Sequence, residues 1–419
     1  CIRDRLSPLK RAHLFFLTTK PSPINAPINI PKINIAKVLS KERGLRRGFL
    51  FFSPFILSDS DKEDLKTGIL AAASGGFTTV ACMPNTNPPN DNKVVTRYIV
   101  SKANSINLVE VKPIGAITKN LKGEELAEIG EMREEGIIAI SDNGNPVMNA
   151  EILRRALEYA RMFNIPVIEH CEDKNLSSDG VMNEGYFSTL LGLKGIPQAA
   201  EEIIVIRDII IAGEVKGKLH IAHVSTALSC EFIRWAKKKG INITCEVTPH
   251  HISLDEEMLK TYNTNYKMKP PLRTKKDIKA LKDGLKDGTI DVIATDHAPH
   301  AELDKEVEFT KASFGIIGLE TAFPIIIEEL VRPKILSLKE AISKITINPA
   351  DILNIEKGRL KEGVDADITI ANIEKEVKID EKFFASRSTN SPFIGRRMHG
   401  VIEYTIKNGK IIYEEKKRV

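Results

Sequence analysis

The sequence predicts an α/β fold, a (β/α)8 TIM-type barrel with a small appended β-sandwich domain. Three observations predict it. From about residue 61 onward, short apolar runs alternate with amphipathic helical stretches. The runs are apolar on both faces and rich in β-branched residues, as strands of a parallel sheet covered on both sides are. A length of 419 residues suits one large barrel with a smaller domain beside it.

In chain order, one strand is expected upstream of residue 61. A helix over Asp61–Ser74 follows and is stopped by Gly75-Gly76. The strand candidates are Thr78–Met83, Val111–Ile117, Gly136–Ser141, Ile165–His170, Leu219–Val224, Asn242–Val247 and Val292–Asp296. Amphipathic helices lie between them. Ala150–Phe163 carries Ile152, Leu153, Ala156, Leu157 and Ala160 on one stripe, and Ala199–Ala212 and Thr226–Lys239 are similar. Such alternation builds either a doubly wound sheet or a barrel, and seven strands in order, with one more upstream, favour the barrel. The tail differs: Ala366–Ala371 and Gly400–Tyr413 read as strands, the second a hairpin turning at Asn408-Gly409. The expected division is a poorly patterned segment over 1–47, where half of the small β domain belongs, a barrel over 48–355, and the rest of the β domain over 356–419.

Composition narrows the functional classes. Lys plus Arg is 61 and Asp plus Glu is 56, a formal charge of +5, and no basic block is interleaved with aromatics. That is no footprint for nucleic acid. The five cysteines, Cys1, Cys82, Cys171, Cys230 and Cys245, lack paired spacing, which points to reduced thiols and a cytoplasmic protein. No apolar stretch is long enough to span a membrane. The first twenty residues carry basic residues and a short apolar run but no signal-peptide core or cleavage site. The chain opens on Cys1 rather than Met, which leaves room for a start elsewhere.

Barrel enzymes work at the C-terminal ends of their strands. Four polar residues stand at such ends: Asp142 after Gly136–Ser141, His170 closing Ile165–His170, His223 near the end of Leu219–Val224, and Asp296 after Val292–Thr295. Two carboxylates and two imidazoles on one rim suit zinc, which takes these donors in sites open to water. A lone strand-end histidine is more often structural; four such residues on one rim are not readily core packing. His220, His250, His251 and His297 neighbour these motifs and read as hydrogen-bonded core or supporting residues. His13 and His399 lie outside the barrel and are left unassigned.

The segments GGFTTVACMPNTNPP (75–89), SDNGNPVM (141–148), EHCED (169–173), NEG (183–185), HIAHVST (220–226), CEVTPHH (245–251), PPLR (270–273), ATDHAPH (294–300) and FGIIGLETAFP (314–324) resemble bacterial dihydroorotases, of the amidohydrolase group. NPA (348–350), KGRLKEGVDADITI (357–370) and TIKNGKIIY (405–413) extend the resemblance to about residue 415. It implies a zinc enzyme with one or two ions per subunit that interconverts N-carbamoyl-L-aspartate and dihydroorotate. It also implies that His170 and His223 bind the more buried ion, that Asp142 bridges two ions, and that Asp296 is both ligand and general acid/base. A carboxylated lysine holds the bridging place in hydantoinase-like relatives, so Asp142 favours dihydroorotase. Asn85, His300 and the backbone of Phe314 and Gly315 are the implied substrate contacts. A small-molecule substrate, a homo-oligomer and aspartate carbamoyltransferase as assembly partner are implied as well.

Two departures stand out. The family carries His-x-His-x-Arg at the end of the first strand, expected near Phe51, Ser53 and Phe55; GFLFFSPFILSDS (48–60) holds no His and no Arg, and Asp59 lies beyond the expected position. Either the early coding sequence was read out of frame in an intact enzyme, or the chain is a non-catalytic relative. We favour the first, because fold patterning and site residues fail together over 1–60, and a lost function usually leaves patterning intact. Sequencing the DNA for that segment separates them. As printed, the chain is expected to bind at most one metal ion well and to be nearly inactive. The second departure is Lys269, where the family has Asn before Pro-Pro-Leu-Arg. It reads either as tolerated on a loop or as added charge beside a dianionic ligand; the latter predicts that Lys269→Asn lowers the Michaelis constant. Competing functions are a hydantoinase or dihydropyrimidinase, separable by a substrate panel, and a scaffold for aspartate carbamoyltransferase.

Overall fold

The computed structural model describes residues 62–415, together with the backbone of Leu45–Arg46 and Phe49–Pro54. Residues 62–360 and 365–415 belong to one compact unit. The strands in chain order are β1 (Leu45–Arg46), β2 (Phe49–Pro54), β3 (Phe77–Met83), β4 (Glu110–Pro113), β5 (Ile140–Ser141), β6 (Val167–Glu169), β7 (Met182–Asn183), β8 (Gly195–Ile196), β9 (Leu219–Ile221), β10 (Ile243–Val247), β11 (Val292–Ile293), β12 (Ile368–Lys378), β13 (Arg397–Lys407) and β14 (Lys410–Glu414). Helices between the parallel strands include α1 (Leu65–Ser74), α2 (Lys93–Ile106), α3 (Ile129–Glu134), α4 (Ala150–Met162), α5 (Ala199–Val215), α6 (Ala227–Lys238) and α7 (Lys275–Asp287).

The parallel strands follow sequence order. β2-β3-β4 form one sheet and β5-β6-β9-β10-β11 another, and a parallel bridge between Gly115 and Ile140 links the end of β4 to β5. The upstream strand is present: β2 pairs with β3 from Phe49↔Phe77 to Pro54↔Met83. Val80, Ala81, Val167, Ile168, Ile221, Cys245 and Val247 are all buried, as strands covered on both faces require.

Local chemistry sets the element ends. Asp64 caps α1 by accepting the Thr67 N–H at 2.8 Å, so the helix begins later than Asp61. It stops at Gly75, where a Cβ would sit 2.4 Å from the Leu319 carbonyl oxygen, so only glycine fits. β4 ends at Pro113, short of the expected Ile117, because proline interrupts ladder pairing. Gly136, at φ 107, turns the chain, so β5 is confined to Ile140–Ser141. α4 starts on Asn149, which accepts from Glu151 and Ile152, and buries Leu153, Ala156, Leu157 and Ala160. α5 runs past Ala212 to Val215 and ends on left-handed Lys216.

A further sheet is antiparallel, in the order β1-β12-β13-β14. β1 pairs through Leu45↔Ala371 and Arg46↔Ile370, so part of the poorly patterned N-terminal segment joins it. The β13–β14 hairpin turns at Asn408 and Gly409, at φ 50 and 74, the left-handed pair a two-residue hairpin needs. Thr369 and Thr405 tie the sheet to the turn after α1 and to its last turn, donating to the carbonyls of Gly76 at 2.6 Å and Ala73 at 2.7 Å. Among the described residues no helix is long and apolar enough to cross a membrane. Cys1, His13, Phe55, Asp59 and the side chains of Phe51 and Ser53 lie outside the described residues.

Candidate functional site

Asp142, His170, His223 and Asp296 each follow within three residues the C-terminal end of β5, β6, β9 and β11. Asp142, His170 and His223 are buried. His223 and Asp296 hold left-handed backbone, at φ 33 and 47, a costly state for non-glycine residues that persists where the surroundings dictate it.

His170 and His223 meet directly. His170 Nδ1 and His223 Nε2 lie 2.8 Å apart, with ring centroids 4.6 Å apart and edge to face. The other nitrogen of His170, Nε2, donates to Glu172 Oε2 at 2.9 Å. Burial and the neighbouring His170 lower the pKa of His223. His223 Nδ1 is buried without a hydrogen-bond partner. Burial raises the Glu172 carboxyl, but His170 and then Lys269 overcome it and hold the group down at about 2.

Asp296 acts on His223 through its charge. Burial raises its own carboxyl, opposed by His223 and His297. His297 is fixed from both sides: Nε2 donates to Glu63 Oε2 at 2.6 Å, and Nδ1 accepts from the Gly318 amide at 3.1 Å. Asp142 is turned elsewhere. Its Oδ1 accepts from the amides of Ile117 at 2.8 Å and Thr118 at 2.9 Å, and its Oδ2 accepts from the Thr118 hydroxyl. Burial raises its carboxyl to about 6 against those bonds.

Two imidazoles facing one another, one with an orphaned buried nitrogen and a carboxylate close by, have the chemistry of a zinc donor set. They are the start of a site: among the described residues no three His, Cys, Asp or Glu side chains are gathered to hold a metal.

A second group forms around Phe314. Lys267 and Lys269 stand over its ring at 4.6 and 5.4 Å, and His300 Nε2 donates to its carbonyl at 2.7 Å. Burial takes His300 down to about 4. Gly315, at φ 107, packs so tightly that a Cβ would lie 2.6 Å from Ala298 Cβ. Lys269 bridges this group to the histidines, with Nζ 3.0 Å from Glu172 Oε1. Asn85 stands exposed two residues beyond β3. The neighbouring histidines are hydrogen-bonded core residues, as expected for His220 with Thr244 and Glu246 and for His251 with Thr248 and Pro270; His250 Nε2 is buried and unpartnered.

Sequence reasoning assigned no role to Glu172 or Glu63. For Glu172 a signal was present: within EHCED, Asp173 caps the next helical turn through Asn175 and Leu176, which leaves Glu172 as the carboxylate two residues past a strand-end histidine. Glu63 pairs with a residue too remote in sequence for spacing to reveal it.

The dihydro-orotase-like family model matches residues 45–229, and the amidohydrolase family model matches 218–413. A dihydroorotase of Acetivibrio thermocellus is 53% identical over 355 residues, 85% of this chain and 83% of that protein. A dihydroorotase of Geotalea daltonii is 52% identical over 353 residues, 84% of this chain and 83% of that one. Among solved structures, an L-hydantoinase (dihydropyrimidinase) from Arthrobacter aurescens superposes with a TM-score of 0.79 at 24% identity, covering 88% of this chain and 85% of that one. A dihydropyrimidinase from Brevibacillus agri gives 0.74 at 21% identity, covering 89% and 85%. At such identities the structural likeness shows a shared fold.

Proposed function

Because the chain belongs to the dihydroorotase family of the amidohydrolases, we infer that it is a zinc-dependent cyclic amidohydrolase interconverting N-carbamoyl-L-aspartate and dihydroorotate in pyrimidine biosynthesis. The observation that carries this is the His170–His223 pair at 2.8 Å, beside a partly buried Asp296 whose carboxyl is raised. The eight parallel strands in sequence order support a closed (β/α)8 barrel over 48–355. The antiparallel sheet supports a β-sandwich built from 1–47 and 356–419. A cytoplasmic homo-oligomer, and assembly with aspartate carbamoyltransferase, belong to the same reading.

His170 through Nδ1 and His223 through Nε2 would hold a zinc ion, the proton between them passing to the unpartnered His223 Nδ1. When bound, zinc polarises a carbonyl and lowers the pKa of water from about 15.7 toward about 7. In the hydrolytic direction water adds to the ring amide carbonyl and the C–N bond breaks. Asp296 takes the proton from the attacking water and delivers it to the leaving nitrogen; ring closure runs the same path in reverse. Asp142 would join the donors if its carboxylate left the Ile117 and Thr118 amides and the Thr118 hydroxyl. His300, Phe314, Gly315 and Asn85 are the proposed substrate wall, with Lys269 adjoining it.

The sequence favours a second reading at one place. The first-strand positions Phe51 and Ser53 carry no ligating residue, and the expected Arg is absent near Phe55, as in a scaffold that has lost catalysis. Two zinc-supplied proteins separate the readings: the 419-residue chain and its Phe51→His, Ser53→His, Phe55→Arg variant, assayed on dihydroorotate and on hydantoin. The enzyme reading expects the variant to open dihydroorotate at least about tenfold faster than the parent, one missing transition-state interaction or more, and to leave hydantoin untouched. Hydantoin turnover would shift the assignment to a hydantoinase. No turnover by either protein, with stable co-purification of aspartate carbamoyltransferase, would establish the scaffold.

A further inference from the structure

Lys269, Glu172, His170 and His223 form one continuous chain of contacts. Lys269 Nζ lies 3.0 Å from Glu172 Oε1, with side-chain exposures of 27% and 7%. Glu172 spends its other oxygen on His170 Nε2 at 2.9 Å. His170 turns its opposite nitrogen to His223 Nε2 at 2.8 Å, and the chain ends at His223 Nδ1, buried without a hydrogen-bond partner.

This arrangement differs from the other buried histidines that hold two partners. His220 is closed by Thr244 and Glu246, His251 by Thr248 and the Pro270 carbonyl, and His297 by Glu63 and the Gly318 amide. Each ends in ordinary protein donors or acceptors. At His170 one end is a carboxylate and the other is a second imidazole. An ionised carboxylate only accepts, so the proton of a neutral His170 sits on Nε2 and Nδ1 carries the lone pair. That assignment depends on the Glu172 carboxylate staying where it is. Glu172 is only two residues from His170, and a buried carboxylate with one oxygen unmatched is costly. Lys269 reaches in from a distant segment and sets its charge 3.0 Å from that oxygen, which has no hydrogen-bond partner of its own, and is itself steadied over the Phe314 ring at 5.4 Å. Its charge thus already has a partner inside the protein.

We propose that Lys269 is a positioning residue, which holds Glu172 so that His170 is fixed as the Nε2–H tautomer with the Nδ1 lone pair directed at His223 Nε2. The consequence for zinc affinity rests on the metal reading above; the tautomer does not. Fixing a ligand histidine through its far nitrogen is typically worth 10–100-fold in metal affinity.

The test uses the full chain, labelled with 15N-histidine and stripped of metal by chelator, and reads two-bond 1H–15N correlations. A His170→Gln variant identifies the His170 signals among nine histidines. The parent protein is expected to show Nε2 protonated and Nδ1 bare. Lys269→Met is expected to give a mixture of tautomers, and Lys269→Arg to restore the parent pattern. In zinc competition against a chromophoric chelator, Lys269→Met is expected to weaken binding roughly tenfold and Glu172→Leu roughly 100-fold, with Lys269→Arg within about twofold of the parent. A parent protein with the proton on His170 Nδ1, or Lys269→Met indistinguishable from the parent in tautomer, would overturn the proposal. If Glu172→Leu fails to fold, the half-exposed Lys269 position still decides the matter. If the parent binds no zinc, the metal reading fails while the tautomer still judges Lys269.

Discussion

The rim at β6 and β9 and the rim at β2 share a backbone plan and differ in chemistry. At β6 and β9 the chain ends its strands in His170 and His223, which hold each other at 2.8 Å and are backed by Glu172 and Lys269. At β2 the strand runs parallel to β3 over Phe49–Pro54, yet its residues are FLFFSP, with no imidazole or carboxylate among them. Strand pairing asks only for an apolar, β-compatible stretch in register. Metal chemistry asks for particular atoms at particular positions. The two requirements separate along this chain, and one rim keeps the fold while lacking the donors.

The comparison can be broken or sharpened in several ways. The largest effect is expected at His223. Removing it in His223→Ala should abolish zinc binding, a loss of more than about 100-fold because a direct donor outweighs its supports, measured by chelator competition. Unchanged affinity would mean that the metal sits elsewhere. Next comes the fully buried His297–Glu63 pair behind Asp296. Glu63→Ala leaves a buried partner uncompensated and should cost about 3–5 kcal/mol in urea unfolding. Burial alone would raise the Glu63 carboxyl, but His297, Ser386 and the Arg387 amide together hold it below its ordinary 4.5. Its contribution is therefore complete above the unfolded value and is lost as pH falls through the folded one. The gap between parent and variant stability should narrow below about pH 4; a gap that widens on acidification would contradict this pairing. The smallest effect is expected at Thr118, whose hydroxyl donates to Asp142 Oδ2. Thr118→Val should cost about 1.5–3 kcal/mol, as bonds to charged groups do, and should tighten zinc binding by freeing Asp142. Weaker zinc binding would show that Asp142 supports the fold and is no donor.

Much of this was legible in the sequence. Period and β-branching marked the parallel strands, Gly75 and Asn408-Gly409 marked turns, and the strand-end rule selected Asp142, His170, His223 and Asp296. The errors at element ends came from Pro113 and Gly136, which cut strands that apolar runs alone would extend. Side-chain pairing was not legible. Nothing local says that Lys269 meets Glu172, that Glu63 meets His297, or that Asp142 folds back onto Thr118, because each depends on segments joined only by the tertiary fold. Lys269 shows this most clearly: its sequence context left open a tolerated loop substitution or a charge for substrate, and neither reading pointed to its ion pair with Glu172.

The most direct measurement is the number of zinc ions per full-length chain, by elemental analysis after equilibration with excess zinc and removal of the unbound metal. One ion per chain, lost in His170→Ala and in His223→Ala, is the expected result. Two ions per chain would contradict the contrast between the rims, since donors for the second would have to come from residues that the sequence does not place at β2. No bound ion would remove the metal reading of the His170–His223 pair.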